Sequence, residues 1–431
     1  MSPVIESVSG LRGIYPDAMN AEYAFNASCK FSSYLKNGRI AVGMDTRPSS
    51  QALARAASAG VMCSGSQAIW LGVVTTPELF HYVRNNEIEG GIMITASHNP
   101  KEWNGLKMVR KGRGLFEEEL RDFLSTQCIV KEIGSKIEGD SRKYYEDILK
   151  MLGDNLKGVK LALDLGGGSA SLHVPSTFRR AGGEVYAVNA SAGIFTRTID
   201  PTQDSLEQLV KIIKVAGCDI GLAFDCDGDR LQVVDSHGVK LPPDYTLYLA
   251  IKNAEDIDRV VLSVDTSDVV VEEAKRRGMK IFFSPVGEAN VLKVMLENEC
   301  RLGGEGSSAG VIDSRFSYCR DGLLASAYVM RELAEAGSLD LAELDGHEVI
   351  RKKLEIDRGS SDKIMRELER EYPDATKIDG IKISFGDGWC LVRMSRTEQA
   401  LRISVEGRSR ARAEEILDTM SRKISGLMRE G

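Results

Sequence analysis

The sequence lacks most of the features that mark specialised protein classes. No run approaches the roughly 18 uninterrupted apolar residues that a membrane-spanning helix needs. The opening stretch, MSPVIESVSGLRG, has no basic region leading into an apolar one. A cytoplasmic protein with neither an export signal nor a membrane span is the expectation. Glycine (42) and proline (11) are too few among 431 residues for a collagenous or disordered chain. Basic residues are the minority, 56 against 63 acidic ones, so no overall positive field would gather nucleic acid or anionic lipid. None of the eight cysteines stands in a Cys-x-x-Cys pair. That spacing speaks against a zinc site or a disulfide framework and for reduced thiols that only pack.

What is present is an ordinary globular composition over a length that, at about 100–200 residues per domain, implies two to four domains. Three segments share one pattern: an apolar, β-rich run ending in Asp, a turn, an amphipathic stretch and a second apolar run. They begin at Ile40, Leu161 and Val260, and their terminal acids are Asp45, Asp164 and Asp265. The intervals are too long for a solenoid repeat and suit duplicated βαβ domains. After about Gly346 the pattern changes to a helix, short strands and a closing helix with Ile416, Leu417, Met420, Ile424, Leu427 and Met428 on one face. The expected organisation is therefore three related α/β domains over residues 1–152, 153–252 and 253–346, and a C-terminal α+β domain over 347–431.

Five short motifs could carry chemistry. DCDGDR, Asp225 to Arg230, lies between two apolar runs; its three alternating carboxylates, with Gly228 to let the backbone turn, suit one hard cation such as Mg²⁺. An EF-hand is excluded, because Arg230 and Ser236 stand where that loop needs Gly and Glu. TASHNP places Ser97 beside His98 on a loop after a strand-like run, which by itself fits a nucleophile, a phosphate acceptor or a turn residue. GEGSSAG holds a formal G-x-S-x-G at Ser308, but the VIDSRFSY stretch after it is not helical, so a hydrolase elbow does not fit. Arg393, Ser395, Arg396, Thr397 and Arg402 surround a turn between two strands. Guanidinium forks, hydroxyls and turn N–H groups of that kind hold a phosphate monoester. SGLRG sets Arg12 between glycines near the start of the chain.

Singly these motifs are ambiguous, but their order is not. SGLRG, TASHNP, DCDGDR, GEGSS and R-x-S-x-T-E, with the minor signatures VGMDTRPSS, TTPEL, SPVGEANV and RDG, resemble the α-D-phosphohexomutase family over essentially the whole chain. That family comprises phosphoglucomutases, phosphomannomutases and phosphoglucosamine mutases. The resemblance implies four domains around a central cleft, the first three with mixed sheets, each giving one loop to the site. It implies an isomerase that moves phosphate between O1 and O6 of a hexose phosphate through phosphorylated Ser97 and a sugar bisphosphate, the latter also serving as primer. One Mg²⁺ per site would be held by Asp225, Asp227, Asp229 and the phosphoserine at Ser97. Arg12 and Lys107 would assist the transfer, and His98 would support the serine loop. Arg230, Glu305, Ser307, Arg393, Ser395, Arg396, Thr397 and Arg402 would bind substrate. The partner would be a hexose phosphate, not nucleic acid or membrane, and the protein a monomer or homo-oligomer.

Two departures from the family pattern stand out. Ser308 and Ala309 occupy positions where Gly and His are common, which removes an imidazole, and Arg396 and Gln399 replace Gly and Pro in the phosphate loop. They leave open two other readings, a phosphosugar-binding homologue with weakened turnover and a metal-dependent sugar phosphatase.

Overall fold

The computed structural model describes residues 3–153, 156–339, 344–395 and 399–429. The first unit holds β1 (Ile5–Ser7), β2 (Gly10–Ile14), α1 (Ala21–Tyr34), β3 (Arg39–Met44), α2 (Ser50–Cys63), β4 (Gln67–Val73), α3 (Thr76–Asn85), β5 (Gly90–Ile94), β6 (Trp103–Arg110), β7 (Arg113–Gly114), α4 (Glu117–Ser125) and β8 (Lys136–Glu138). The second holds α5 (Lys143–Leu152), β9 (Lys160–Asp164), α6 (Val174–Arg180), β10 (Glu184–Val188), α7 (Glu207–Ala216), β11 (Ile220–Phe224) and β12 (Leu231–Asp235). In the third are α8 (Asp244–Lys252), β13 (Arg259–Ser263), α9 (Asp268–Arg276), β14 (Lys280–Ser284), α10 (Glu288–Glu297), β15 (Leu302–Glu305), β16 (Gly310–Asp313) and α11 (Gly322–Ala336). The last comprises β17 (Glu348–Glu355), α12 (Arg358–Glu371), β18 (Ile381–Ser384), β19 (Gly388–Met394), β20 (Ala400–Gly407) and α13 (Arg410–Arg429). Among the described residues no helix is long and apolar enough to cross a membrane.

The three repeats read from the sequence are the β3-α2-β4, β9-α6-β10 and β13-α9-β14 segments, and the likeness extends further. In each unit a central strand pairs in parallel with two neighbours, and the second of these pairs antiparallel with an outer strand. The orders are β4-β3-β5-β6, β10-β9-β11-β12 and β14-β13-β15-β16. The first sheet is wider, with β2 and β1 beyond β6 and β8 beyond β4. The fourth sheet, β17-β20-β19-β18, is antiparallel throughout. Its closing helix buries Ile416, Met420 and Ile424, as the helical spacing predicts.

Strands such as GGIMI and IGLAF are apolar on both faces because helices cover both sides of the sheet, and every residue of β5 and β11 is buried. One continuous core runs from Tyr144 on α5 to Leu333 on α11, so the second and third units share their interior. The first unit has cores of its own on the two faces of its sheet, and the fourth has a separate one.

The cysteines require a correction. Cys29 on α1 and Cys128 after α4 are joined in a disulfide, with Cα atoms 5.1 Å apart, whereas the remaining six are free thiols. The bridge closes a sequence separation of 99 residues, a pairing that packing of α1 against α4 creates and that local spacing cannot reveal. On chain entropy alone, closing so long a loop contributes about 4.7 kcal/mol. Cys128→Ser should therefore lower the melting temperature of the oxidised protein, and a reductant should do the same to the parent. Equal melting temperatures in all three samples would show that the two thiols are not paired.

Candidate active site

The three mixed sheets aim the same piece of chain at one another. The hairpin between each second parallel strand and its antiparallel neighbour is 95–102 in the first unit, 225–230 in the second and 306–309 in the third. These are the loops of TASHNP, DCDGDR and GEGSSAG. Each contains a residue in the left-handed region: Ser97 (φ 53°), Gly228 (φ 71°) and Ala309 (φ 52°). For glycine this conformation is free of strain, whereas for Ser97 and Ala309 it costs on the order of 1 kcal/mol that surrounding contacts must offset.

Asp225, Asp227 and Asp229 are all fully buried, and each offers a carboxylate oxygen to a cluster whose atoms lie within 4.8 Å of one another. Ser97 Oγ, equally buried, donates to Asp225 Oδ2 at 3.2 Å. Lys107 on β6 donates to Asp227 Oδ2 at 2.8 Å and to Asp229 Oδ2 at 3.0 Å. Thr76, the first residue of α3, donates its hydroxyl to Asp227 Oδ2 at 2.5 Å and its backbone N–H to Asp227 O at 2.8 Å. Among the described residues Asp227 Oδ1 and Asp229 Oδ1 are buried and accept no hydrogen bond, with Arg230 Nε standing 4.0 Å from the latter. Two orphaned anionic oxygens beside an all-oxygen donor set fit a hard divalent cation.

Charge sets the protonation of the site. Burial, with Asp229 and Asp227 beside it, pushes the Asp225 carboxyl well above the usual range. For Asp229 burial acts in the same direction, but Arg320, Lys107 and Arg230 outweigh it and hold the carboxyl low. Burial pulls the Lys107 ammonium down, yet Asp227 and Asp229 win and keep it charged. His98 is held well below its ordinary value, first by the Arg230 guanidinium and then by burial, so its neutral Nδ1 accepts from Arg230 at 2.9 Å. Arg230 also donates to Asp200 at 2.8 Å. Arg12 reaches Asn99 Oδ1 at 2.8 Å, and its Nε is a buried donor without a partner.

The sugar-loop residues join this centre through a residue that the sequence motifs left without a role. Arg320, from RDG, donates to Asp229 at 3.0 Å, Glu288 at 3.2 Å, Glu305 at 3.3 Å and Ser308 Oγ at 3.2 Å. Glu305 is buried and also accepts from Gly287 N at 2.8 Å, while Ser307 is the partly exposed residue of the loop. Arg393, Ser395 and Arg402 sit on the β19–β20 hairpin, away from Ser97, with Arg393 and Arg402 paired across the two strands. Arg393 lies 3.9 Å from Asp379, which accepts from Val286 N at 3.0 Å and so ties the hairpin to the sugar-loop side. Arg396 and Thr397 lie outside the described residues. The sequence motifs assign no role to Thr76 or Arg320, although TTPEL and RDG, both visible in the sequence, contain them.

Models of the four phosphoglucomutase/phosphomannomutase domains match this chain in order: α/β/α domain I over residues 5–128, domain II over 142–238, domain III over 242–348 and the C-terminal domain over 343–423. A protein of Methanosphaera stadtmanae described as a probable phosphoglucosamine mutase is 32% identical over 94% of this chain and 95% of its own. The phosphoglucomutase/phosphomannomutase of Thermococcus kodakarensis is also 32% identical, over 95% and 96%. A crystal structure of a phosphoglucomutase/phosphomannomutase family protein from Burkholderia thailandensis superposes with a TM-score of 0.85 at 22% identity, covering 98% of each chain, and shares the fold.

One buried acid supports the site from behind. Glu78 completes the capping box of α3, the helix that presents Thr76 to Asp227, and accepts from Ser141 Oγ at 2.6 Å and Tyr145 Oη at 2.7 Å. Burial pushes its carboxyl up to about 7. The folded protein thus holds this proton more tightly than the unfolded chain. The resulting stability is complete below about pH 4.5 and is lost as the pH rises through 7, a change of about 3 kcal/mol. Melts between pH 5 and 8 should show Glu78→Gln gaining steadily on the parent. A constant difference across that range would place Glu78 in its ionised form throughout.

Proposed function

The chain belongs to the phosphoglucomutase/phosphomannomutase family, and we propose that it interconverts hexose 1-phosphates and hexose 6-phosphates through a phosphoserine at Ser97. Ser97 Oγ against Asp225, within a buried cluster of three carboxylates, carries the reading. In the first transfer the bond from Ser97 Oγ to phosphorus breaks as one forms to a sugar hydroxyl, and that hydroxyl's proton ends on Ser97 Oγ. The sugar bisphosphate then returns its other phosphate to Ser97 by the reverse step. Phosphorus, oxygen and protons balance over the cycle, so the reaction is an isomerisation.

The residues divide this work by charge and position. Asp225, Asp227 and Asp229 would hold Mg²⁺, which when bound would offset negative charge on the phosphoryl oxygens. Lys107, kept protonated by Asp227 and Asp229, supplies a fixed positive charge on the same hairpin as Ser97. Arg12, with its unpartnered buried Nε, offers a further donor to the transferring group. Neutral His98 braces Arg230 at the base of the metal loop. Glu305 and Ser307 would bind sugar hydroxyls, and Arg393, Ser395 and Arg402, with Arg396 and Thr397, the non-reacting phosphate. Relatives of equal identity are named for glucosamine phosphate in one case and for glucose and mannose phosphates in another, so the proposed substrates are these three. The compartment we propose is the cytoplasm, where such metabolites are held.

Purified protein should carry phosphate on the peptide containing Ser97, read by mass spectrometry, and should turn over a hexose 1-phosphate when primed with glucose 1,6-bisphosphate. Ser97→Ala should reduce kcat by about 10³-fold or more, and full activity in that variant would remove the phosphoserine. Chelation should abolish turnover. Asp227→Asn should cost far more activity than stability, since it relieves repulsion among buried carboxylates.

A further inference from the structure

Arg47 stands between β3 and α2, with its side chain completely buried. All its guanidinium groups are engaged, and four of its bonds go to backbone carbonyls, three in the serine loop and one at the first residue of β6. One terminal nitrogen donates to Ser97 O at 2.6 Å and Asn99 O at 2.7 Å; the other donates to Pro100 O at 2.5 Å and Trp103 O at 3.1 Å. The remaining N–H, on Nε, donates to Asp45 Oδ2 at 3.0 Å. Asp45 is anchored in turn: Oδ1 accepts from Arg47 N at 3.0 Å and Ser50 Oγ at 2.5 Å, and Oδ2 from the thiol of Cys226 in the metal loop at 3.4 Å. The Asp45–Arg47 pair therefore lies beneath both the serine loop and the metal loop.

A loop with three of its carbonyls, at 97, 99 and 100, gathered on one cation has its curvature constrained by that cation. Ser97 needs such an anchor, since its left-handed backbone is disfavoured, and the Arg47 bond to its carbonyl opposes relaxation together with the 2.9 Å bond from Ser97 N–H to Thr95 Oγ1. Relaxation of φ would swing Oγ away from Asp225, where it now lies at 3.2 Å. Only a planar fork reaches four carbonyls spread from 97 to 103 while pairing with Asp45; an ammonium offers three donors from a single point.

We propose that Arg47 is a positioning residue that sets the reacting geometry of Ser97 through its backbone, and that lysine cannot replace it. The inference rests on the phosphoserine reading above. Among the described residues the Arg47 side chain bonds only to Asp45 and to the backbone at 97, 99, 100 and 103, none of them assigned to the sugar or its distal phosphate, so its effect falls on phosphoryl transfer and not on substrate binding.

The test compares Arg47→Lys with the parent in three measurements: thermal melting, steady-state kcat and KM for a hexose 1-phosphate, and the rate at which glucose 1,6-bisphosphate phosphorylates Ser97, followed by intact mass. The expected result is a folded variant whose kcat and rate of Ser97 phosphorylation both fall about 10- to 100-fold, as displacement of a reacting atom by about 1 Å would cause. KM should stay within about twofold of the parent. A folded variant with parental kcat, or one in which KM rises while the phosphorylation rate holds, overturns the proposal. Should the lysine variant not fold, Asp45→Asn, which still offers Arg47 an acceptor, reads the same split between kcat and KM. A parent without turnover and without phosphate on Ser97 overturns the phosphoserine reading itself, a result distinct from any difference between parent and variant.

Discussion

Three carboxylates confined to one dry space set the terms for the centre of the molecule. Taking a carboxylate out of water costs several kcal/mol even after relaxation, and of the fully buried Asp225, Asp227 and Asp229 the first has its carboxyl pushed well above the usual range in response. Their compensation comes from three directions: Lys107 from the first unit, Arg230 from the second and Arg320 from the third. No unit balances the cluster alone. The cost of stranding any of these charges acts as a clamp on the relative placement of the three sheets, beyond the apolar core that already joins the second and third. The same imbalance is useful, because a site that keeps two carboxylate oxygens unpartnered has room for a cation and a phosphoryl group to share the charge.

The repeated topology explains how the loops meet. A hairpin joining a parallel strand to its antiparallel neighbour emerges at the same end of each sheet, so the duplicated βαβ framework presents three equivalent corners. Apart from the extra strands of the first sheet, the units differ chiefly in what each corner carries: Ser97 in the first, three carboxylates in the second and the 306–309 turn in the third. The departure at Ser308 and Ala309 fits this frame. Ala309 occupies the left-handed corner, and the Ser308 hydroxyl, which accepts from Arg320 and donates to Glu305 O, adds a contact to the network around Asp229.

Much of this was legible in the sequence because it is local. Apolar runs ending in Asp marked the repeated units, the alternating carboxylates marked the buried acidic cluster, and helical spacing marked the inner face of α13 except at Met428, which is exposed. What escaped is long-range. Thr76 meets Asp227 and Arg47 meets Trp103 only after the sheets have assembled, and nothing in the immediate surroundings of a threonine or an arginine announces such partners. The Cys29–Cys128 bridge escaped for the same reason: it follows from packing of α1 against α4 and not from spacing along the chain. Neutral His98 is a subtler case, for its protonation is decided by the guanidinium of Arg230, distant in sequence and close in space.

That bridge bears on solution behaviour as well as on folding. Cys128 opens the segment leading to β8, the outermost strand of the widest sheet, and around it Ile129, Val130, Ile133 and Ile137 are 53%, 68%, 80% and 44% exposed. An open strand edge flanked by such residues is a template for pairing with other chains. The bridge fixes the start of the segment and the bonds from Lys131 N to Cys63 O and from Gly134 N to Met62 O fix its middle; without the bridge, the start around Ile129 and Val130 gains freedom to find neighbours. Colloidal stability in concentrated solution, and not catalytic competence, is where the redox state of two cysteines far from the reacting atoms would first be felt.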